Sequence, residues 1–184
     1  MNFLFITCGY PPEKTAGAEN GLQRLGAALV ELGHGVTVAA IKYDQSLPDE
    51  SDHGDGVRVL RKIKPLPLGP LWGMSLRKQV SNILKDKSIQ WDFVLCNQLY
   101  LYSDIAAKVA EENGRHSSNL VVNAHDFSDF KMLAKERRGQ RIMETVKQHS
   151  SVFVLSQQSA KEAVEFGFEP TQIFNYRYFR LDTI

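Results

Sequence analysis

Short apolar runs alternate with amphipathic stretches along this chain of 184 residues. The runs at 2–8 and 36–41 are almost wholly apolar, as is typical of strands buried on both faces of a parallel sheet. Between them, leucines recur at spacings of three and four residues, which predicts an amphipathic helix over 19–32. Gly33 and Gly35 are predicted to end that helix.

The same alternation continues to the end of the chain. Further strands are predicted at 57–63, 91–96, 120–124 and 151–155, and further helices at 75–84, 103–113, 131–149 and 159–166. Ser103 or Asp104 is the expected cap of the third helix, and Gly167 closes the last. The pattern predicts one α/β domain over 1–184, with a mostly parallel sheet between two layers of helices.

Ligands of open α/β sheets bind at the carboxyl ends of the strands. The residues that follow the predicted strands are therefore candidates: Cys8, Gly9, Tyr10, Lys42, Tyr43, Cys96, Asn97, Gln98, Tyr100, His125, Asp126, Phe127, Ser156 and Gln157. The segment 15–19 joins the first strand to the first helix, and free N–H groups there could hold a phosphate. Gly17 either lets the backbone approach such an anion or only permits a tight turn.

His125 and Asp126 are the second candidate pair. The imidazole could act as an acid, a base or a hydrogen-bond donor, or it could cap a turn while Asp126 caps a helix. Cys8, Cys96 and His125 could share one rim as zinc ligands, but no Cys-x-x-Cys spacing supports this, and no metal is predicted. The Gly-x-Gly-x-x-Gly, Walker and Gly-x-Ser-x-Gly patterns are missing, which disfavours a dinucleotide cofactor and a hydrolase triad.

Charge is segregated although the net charge is only +1. Segment 57–90 carries 8 basic and 1 acidic residues, and segment 131–149 carries 6 and 2. These segments are either solvated faces or cationic surfaces for an anionic membrane, with apolar residues beneath: Met132, Leu133, Ile142, Met143 and Val146. Aromatic residues are not interleaved as in single-strand binders, so no nucleic-acid partner is expected.

No apolar run reaches the roughly 18 residues of a membrane span, and the start lacks a signal peptide's basic region. Two cysteines do not make a disulfide framework. A cytoplasmic protein is expected, and the basic helices are the candidates for peripheral contact with the inner face of the membrane.

A resemblance to a known family rests on the first part of the chain. An apolar strand, a proline-rich loop, Gly17-Ala18-Glu19 and a helix lead to Leu32-Gly33-His34-Gly35-Val36-Thr37-Val38. This order resembles the N-terminal, Rossmann-like domain of GT-B glycosyltransferases of the retaining group 1 class, family 4. Trp91 to Leu95, Val121 to Asp126 and Phe166 to Pro170 continue the resemblance.

The resemblance implies a parent enzyme of the hexosyl-type transferase class (EC 2.4), with a role in polysaccharide biosynthesis. Such an enzyme moves a sugar from a nucleotide-sugar donor to a glycan, lipid or small-molecule acceptor, with retention. The nucleotide sugar is a co-substrate, and no cofactor or metal is implied. By position, Ala16, Gly17 and Ala18 would meet the donor diphosphate, and His125 would contact the transferred sugar.

Strand-end position alone suggests the acceptor contacts: Tyr10, Asn97, Tyr100 and Asp126. Ala16 stands where the family often has a second glycine, and the family's Asn-Gly-Val-Asp is replaced by 173–180. The family's C-terminal donor domain is the expected partner, and the chain alone is expected to be inactive. The alternative is a non-catalytic binding domain on the same scaffold.

Overall fold

A computed structural model describes residues 1–13, 16–52, 54–121 and 129–175. The strands are β1 (Asn2–Thr7), β2 (Gly35–Ile41), β3 (Glu50–Asp52), β4 (Arg58–Ile63), β5 (Phe93–Asn97), β6 (His116–Val121), β7 (Ser151–Val154) and β8 (Ile173–Asn175). The helices are α1 (Gly17–Glu31), α2 (Gly69–Lys85), α3 (Ser103–Glu112), α4 (Asp129–Ala134), α5 (Arg137–His149) and α6 (Gln157–Glu165).

These strands form one sheet in the order β3-β4-β2-β1-β5-β6-β7-β8. All neighbouring pairs are parallel except β3 with β4, so the predicted fold class is confirmed. From β1 the chain moves outward to β2 and β4, then crosses back to β5 and proceeds to the opposite edge. Strand order therefore reverses between β1 and β5, the place where open α/β sheets bind ligands.

Helices cover both faces of the sheet because side chains along each strand alternate between them. On one face α1 packs Leu22 into a cluster with Phe5 and Val38. On the other face, α2 and α3 cover a second cluster that contains Leu4 and Ile6. The helices α4, α5 and α6 cover a third cluster around β6 and β7. The result is the predicted three-layer α/β/α arrangement.

Several predicted boundaries are wrong. Helix α2 begins at Gly69 instead of 75, because Pro70 lies in its first turn, where a missing N–H costs nothing. The helix predicted over 131–149 is two helices, α4 and α5. Gly139 fits at this junction because a Cβ there would clash with the backbone of Leu133. Strands β3 and β8 are too short to leave an apolar pattern.

Strand β6 (His116–Val121) begins at His116 instead of 120, and the predicted positions 122–124 lie outside the described residues. Three of its polar residues, Ser117, Ser118 and Asn119, are buried, and Asn119 Nδ2 donates to Ser150 Oγ at 3.0 Å. The predicted cap of α3 is also wrong, because the N-cap is Tyr102. Ser103 Oγ instead accepts from the N–H of Tyr100 at 2.9 Å. Gly167 ends α6 with a positive φ of 86°, as predicted.

Candidate functional site

The carboxyl ends of β1 and β5 are joined at the reversal in strand order. Thr7 ends β1, and its Oγ1 donates to the carbonyl of Gly9 at 2.9 Å. The same oxygen accepts from Nδ2 of Asn97, the last residue of β5, at 3.1 Å. These bonds fix the point at which the chain leaves β1 for the loop that leads to α1.

Helix α1 begins at this edge without a side-chain cap. Its N-cap is Ala16, whose φ of −75° and ψ of 171° suit a cap but whose methyl group accepts no hydrogen bond. The first backbone bond of the helix runs from the N–H of Asn20 to the carbonyl of Ala16, at 3.0 Å. The N–H groups of Gly17, Ala18 and Glu19 therefore have no partner within the helix, and they carry its positive dipole end.

The described structure does not require a glycine at position 17. Its φ is not positive, and an added Cβ would meet no described atom within 4 Å. Gly17 and Ala16 are exposed, whereas Glu19 is only 6% exposed. Of the two explanations left open by the sequence, the requirement of a tight turn finds no support here. An open approach to the helix N-terminus remains.

A buried charged cluster supports the loop between β1 and α1. Arg61 of β4 donates from Nη2 to the carbonyl of Pro11 at 3.0 Å and from Nη1 to Ser51 Oγ at 2.8 Å. Its Nε lies 3.8 Å from Glu13 Oε2, and both side chains are at most 2% exposed. Glu13 Oε1 accepts from the N–H of Asp44, so the cluster also holds the loop after β2.

Sequence reasoning does not single out Arg61, because charged residues on an alternating strand are expected to face solvent. Strand β3 overturns that expectation: it covers the outer edge of β4 and brings Ser51 to the guanidinium. The sequence gives one sign of this: the alternation of apolar and charged residues along the strand fails near Leu60 and Arg61. In the structure, both of these adjacent side chains are buried.

Aromatic side chains lie beside the carboxyl end of β5. Tyr100 follows β5, and its ring packs edge-on against Trp72 of α2, with centroids 6.2 Å apart. Burial raises the pKa of Tyr100 to about 12, helped by the nearby Cys8 and Tyr43. Tyr100 is partly exposed at this edge, and its role as an acceptor contact stays a prediction. Trp72 is an unpredicted neighbour, because the second helix is predicted to begin only at 75 and not at Gly69.

Two of the suggested acceptor contacts lie in the core. Tyr10 is 0% exposed and Asn97 is 1% exposed, so neither side chain is available to an acceptor. Burial, reinforced by the negative charge of Asp55, raises the pKa of Tyr10. Asn97 joins β5 to β1 through Thr7. Residues that directly follow a strand can still turn inward, which strand-end position alone does not reveal.

His125 and Asp126 lie outside the described residues, so their suggested roles remain predictions. Because β1 and β5 are adjacent, Cys8 and Cys96 lie near the same carboxyl edge of the sheet, as expected. Cys96 is buried, which raises the pKa of its thiol, whereas Cys8 is partly exposed. Among the described residues, no three His, Cys, Asp or Glu side chains are grouped as metal ligands.

The apolar residues suggested for membrane contact are mostly part of the core. Leu133, Ile142, Met143 and Val146 pack in the cluster beneath α4 and α5, and only Met132 is exposed. This correction follows from the amphipathic pattern itself, because the apolar side of these helices is used to cover the sheet. Within the described ranges, no helix combines the length and the apolar character needed to cross a bilayer.

Comparison with known proteins gives consistent matches. The model of Glycosyltransferase Family 4 matches residues 15–174. An uncharacterized 42.6 kDa protein in the cps region of Klebsiella pneumoniae is 35% identical over 145 residues, which cover 69% of this chain and 37% of that protein. Glycogen synthase of Myxococcus xanthus (strain DK1622) is 33% identical over 125 residues, which cover 67% of this chain and 25% of that protein.

Solved structures agree with this in fold. Sucrose-phosphate synthase from Thermosynechococcus elongatus superposes with a TM-score of 0.69 at 15% identity, covering 96% of this chain and 47% of that one. A second structure of this synthase gives 0.64 at 14% identity, covering 95% of this chain and 87% of that one. The chain thus spans only 37% and 25% of the two sequence relatives.

Proposed function

The chain belongs to glycosyltransferase family 4 and has the fold of an N-terminal GT-B domain, and from this premise we propose that it is the acceptor-side domain of a retaining glycosyltransferase. The parent enzyme moves a sugar, of hexosyl type, from a nucleotide-sugar donor to a glycan, lipid or small-molecule acceptor. A relative in a cps region supports a role in polysaccharide biosynthesis.

The open helix start at Gly17 carries this proposal. Neither backbone conformation nor packing among the described residues requires glycine there, yet the residue is the first of three whose N–H groups have no partner within the helix, at the switch point of the sheet. A diphosphate needs several N–H donors at close range, and a helix N-terminus supplies them together with a favourable dipole. Ala16, Gly17 and Ala18 are therefore assigned to the donor diphosphate.

The remaining roles follow from position in the family and in the fold. His125 is assigned to the transferred sugar, and Tyr100 and Asp126 to the acceptor. The nucleotide sugar serves as co-substrate without a resident cofactor or metal, and the C-terminal GT-B domain supplies the other wall of the cleft. A cytoplasmic location is part of this proposal, because two cysteines do not make the disulfide framework of a small secreted domain.

The test is an assay of the full-length protein for release of nucleoside diphosphate from a panel of sugar nucleotides. The anomeric configuration of the product is read by NMR. We expect turnover with retention, and we expect Gly17→Trp to abolish it, because the indole would fill the open space before the helix. His125→Ala is expected to lower kcat more than it raises the donor KM.

Ala28→Trp is the matched control, because Ala28 is exposed on the same helix but three turns from its start. This variant should keep wild-type turnover and the wild-type melting temperature. Full activity in Gly17→Trp would contradict the assignment of the diphosphate site. If no sugar nucleotide is consumed by the wild-type protein, the proposed function fails and the non-catalytic binding domain becomes the better account.

A further inference from the structure

Gln98 directly follows β5 and has a backbone conformation that glutamine rarely adopts. Its φ is 81°, and in the described ranges it is the one residue other than glycine with a positive φ. This left-handed region brings Cβ too close to the following carbonyl, so a side chain there destabilises the fold unless its surroundings impose the conformation. Strain of this kind is concentrated at functional sites, which makes Gln98 a candidate binding residue.

The residues on either side of Gln98 are anchored by hydrogen bonds. Nδ2 of Asn97 donates to Thr7 Oγ1 at 3.1 Å, and the N–H of Leu99 donates to Asp129 Oδ2 at 3.3 Å. The side chain of Gln98 is partly exposed, and its amide makes no hydrogen bond to another described residue. The fold thus holds the backbone of Gln98 at the switch point of the sheet without using its side chain.

Three aromatic side chains border the same edge of the sheet. Tyr100 lies two residues after Gln98, and its ring packs edge-on against Trp72, with centroids 6.2 Å apart. Tyr43 follows β2 and is 52% exposed. Burial raises the pKa of Tyr100 to about 12, with smaller contributions from Cys8 and Tyr43, so Tyr43 lies near Tyr100 and both hydroxyl groups are neutral.

A sugar ring matches this set of groups. A pyranose has an apolar C–H face, which packs on the electron-rich face of an aromatic ring, and hydroxyl groups, which exchange hydrogen bonds with an amide. An anionic group is matched less well, because the neighbouring cations already have carboxylate partners. Lys42 is 2.7 Å from Asp49, and Nε of Arg61 is 3.8 Å from Glu13.

We propose that Gln98, Tyr43 and Trp72 join Tyr100 in an acceptor subsite that takes a pyranose ring. Gln98 binds hydroxyl groups of the ring, and the aromatic side chains pack against its C–H face. This assignment rests on the proposed function, and it narrows the acceptor to a molecule that presents a sugar to the cleft.

The test is a titration of the full-length protein with the methyl pyranosides of glucose, galactose and mannose, followed by saturation-transfer NMR. Glycerol 3-phosphate is the anionic comparison. We expect at least one pyranoside to bind, and we expect Trp72→Ala and Tyr43→Ala each to raise its Kd about tenfold through loss of an aromatic contact. Trp72→Phe and Tyr43→Phe are the matched controls, and they should stay within about threefold of the wild type because each keeps a ring.

Gln98→Gly separates a binding role from a structural one. It should raise the Tm by roughly 2–4 °C, because glycine relieves the backbone strain, and should still raise the pyranoside Kd about tenfold through lost hydrogen bonds. A residue that serves only the fold would give a lower Tm and an unchanged Kd.

The proposal is overturned if no pyranoside binds, if only glycerol 3-phosphate binds, or if the alanine and glycine variants bind pyranosides as the wild type does. Because binding is measured without turnover, these results are independent of the transferase assay. Turnover of a sugar nucleotide with unaltered pyranoside binding in the variants would remove the subsite and leave the proposed function standing. The expected losses of binding in a protein without turnover would support the sugar subsite and contradict only the transferase.

Discussion

Replacing Ala16 by Asp is expected to stabilise the fold and to destroy donor binding. Ala16 has the backbone conformation of an N-cap but no acceptor, so α1 starts uncapped. An aspartate there would accept hydrogen bonds from the N–H of Ala18 or Glu19 and would complement the helix dipole. The same N–H groups are the ones assigned to the donor diphosphate, so the new carboxylate and the ligand would compete for one place.

The two effects have opposite signs and can be estimated separately. A cap is worth about 1 kcal/mol and a charge at the helix start about 0.5 kcal/mol. For a domain of this size, about 1.5 kcal/mol raises the Tm by roughly 3–6 °C. A carboxylate about 4 Å from a phosphate charge costs about 4 kcal/mol at an effective dielectric constant of 20, which raises the donor Kd roughly a thousandfold.

Calorimetry of donor binding and thermal unfolding of the full-length protein measure both quantities on the same sample. Ala16→Ser is the matched control, since its hydroxyl caps the helix without a charge. It should gain about 1 kcal/mol and weaken the donor about tenfold at most. Donor binding that survives in Ala16→Asp, together with the gain in Tm, would show that the helix start is not the diphosphate site.

Two further predictions concern the residues behind the site. Arg61→Met should destabilise the domain by about 3–5 kcal/mol, because it leaves the buried carboxylate of Glu13 without its cation. Adding Glu13→Gln should restore part of that loss. Urea unfolding measures the stability of both variants. Equal stability of the single and double variants would refute the coupling. Asn97→Ala should lower the Tm, because its hydrogen bond to Thr7 is lost, and should leave the acceptor KM unchanged. A raised acceptor KM at the wild-type Tm would instead show that Asn97 contacts the acceptor.

The alternation of apolar runs and helical stripes is enough to predict the fold class and most elements. It succeeds for β1 and β2 because strands that are buried on both faces consist almost entirely of apolar residues. It fails for β6, where buried Ser117 donates to the carbonyl of His149 and buried Asn119 donates to Ser150, both far along the chain. Such partners are fixed by tertiary contacts, which local periodicity does not contain.

The candidate site is predictable in part for the same reason. Strand-end position identifies the loop before α1 and Tyr100, but it does not tell an inward side chain from an outward one, as Tyr10 shows. The burial of Arg61 and the exposure of Leu68 and Leu71 escape prediction because both depend on neighbouring elements. Burial of Arg61 needs β3, and exposure of Leu68 and Leu71 needs the early start of α2.

The most direct test of the diphosphate site is a crystal structure of the full-length protein with a non-transferable nucleotide-sugar analogue. The account predicts that diphosphate oxygens accept hydrogen bonds from the N–H groups of Gly17 and Ala18, at about 2.7–3.2 Å. The sugar should then lie outside the carboxyl ends of β1 and β5. A diphosphate bound away from the start of α1, with that helix end still open to solvent, would contradict the account.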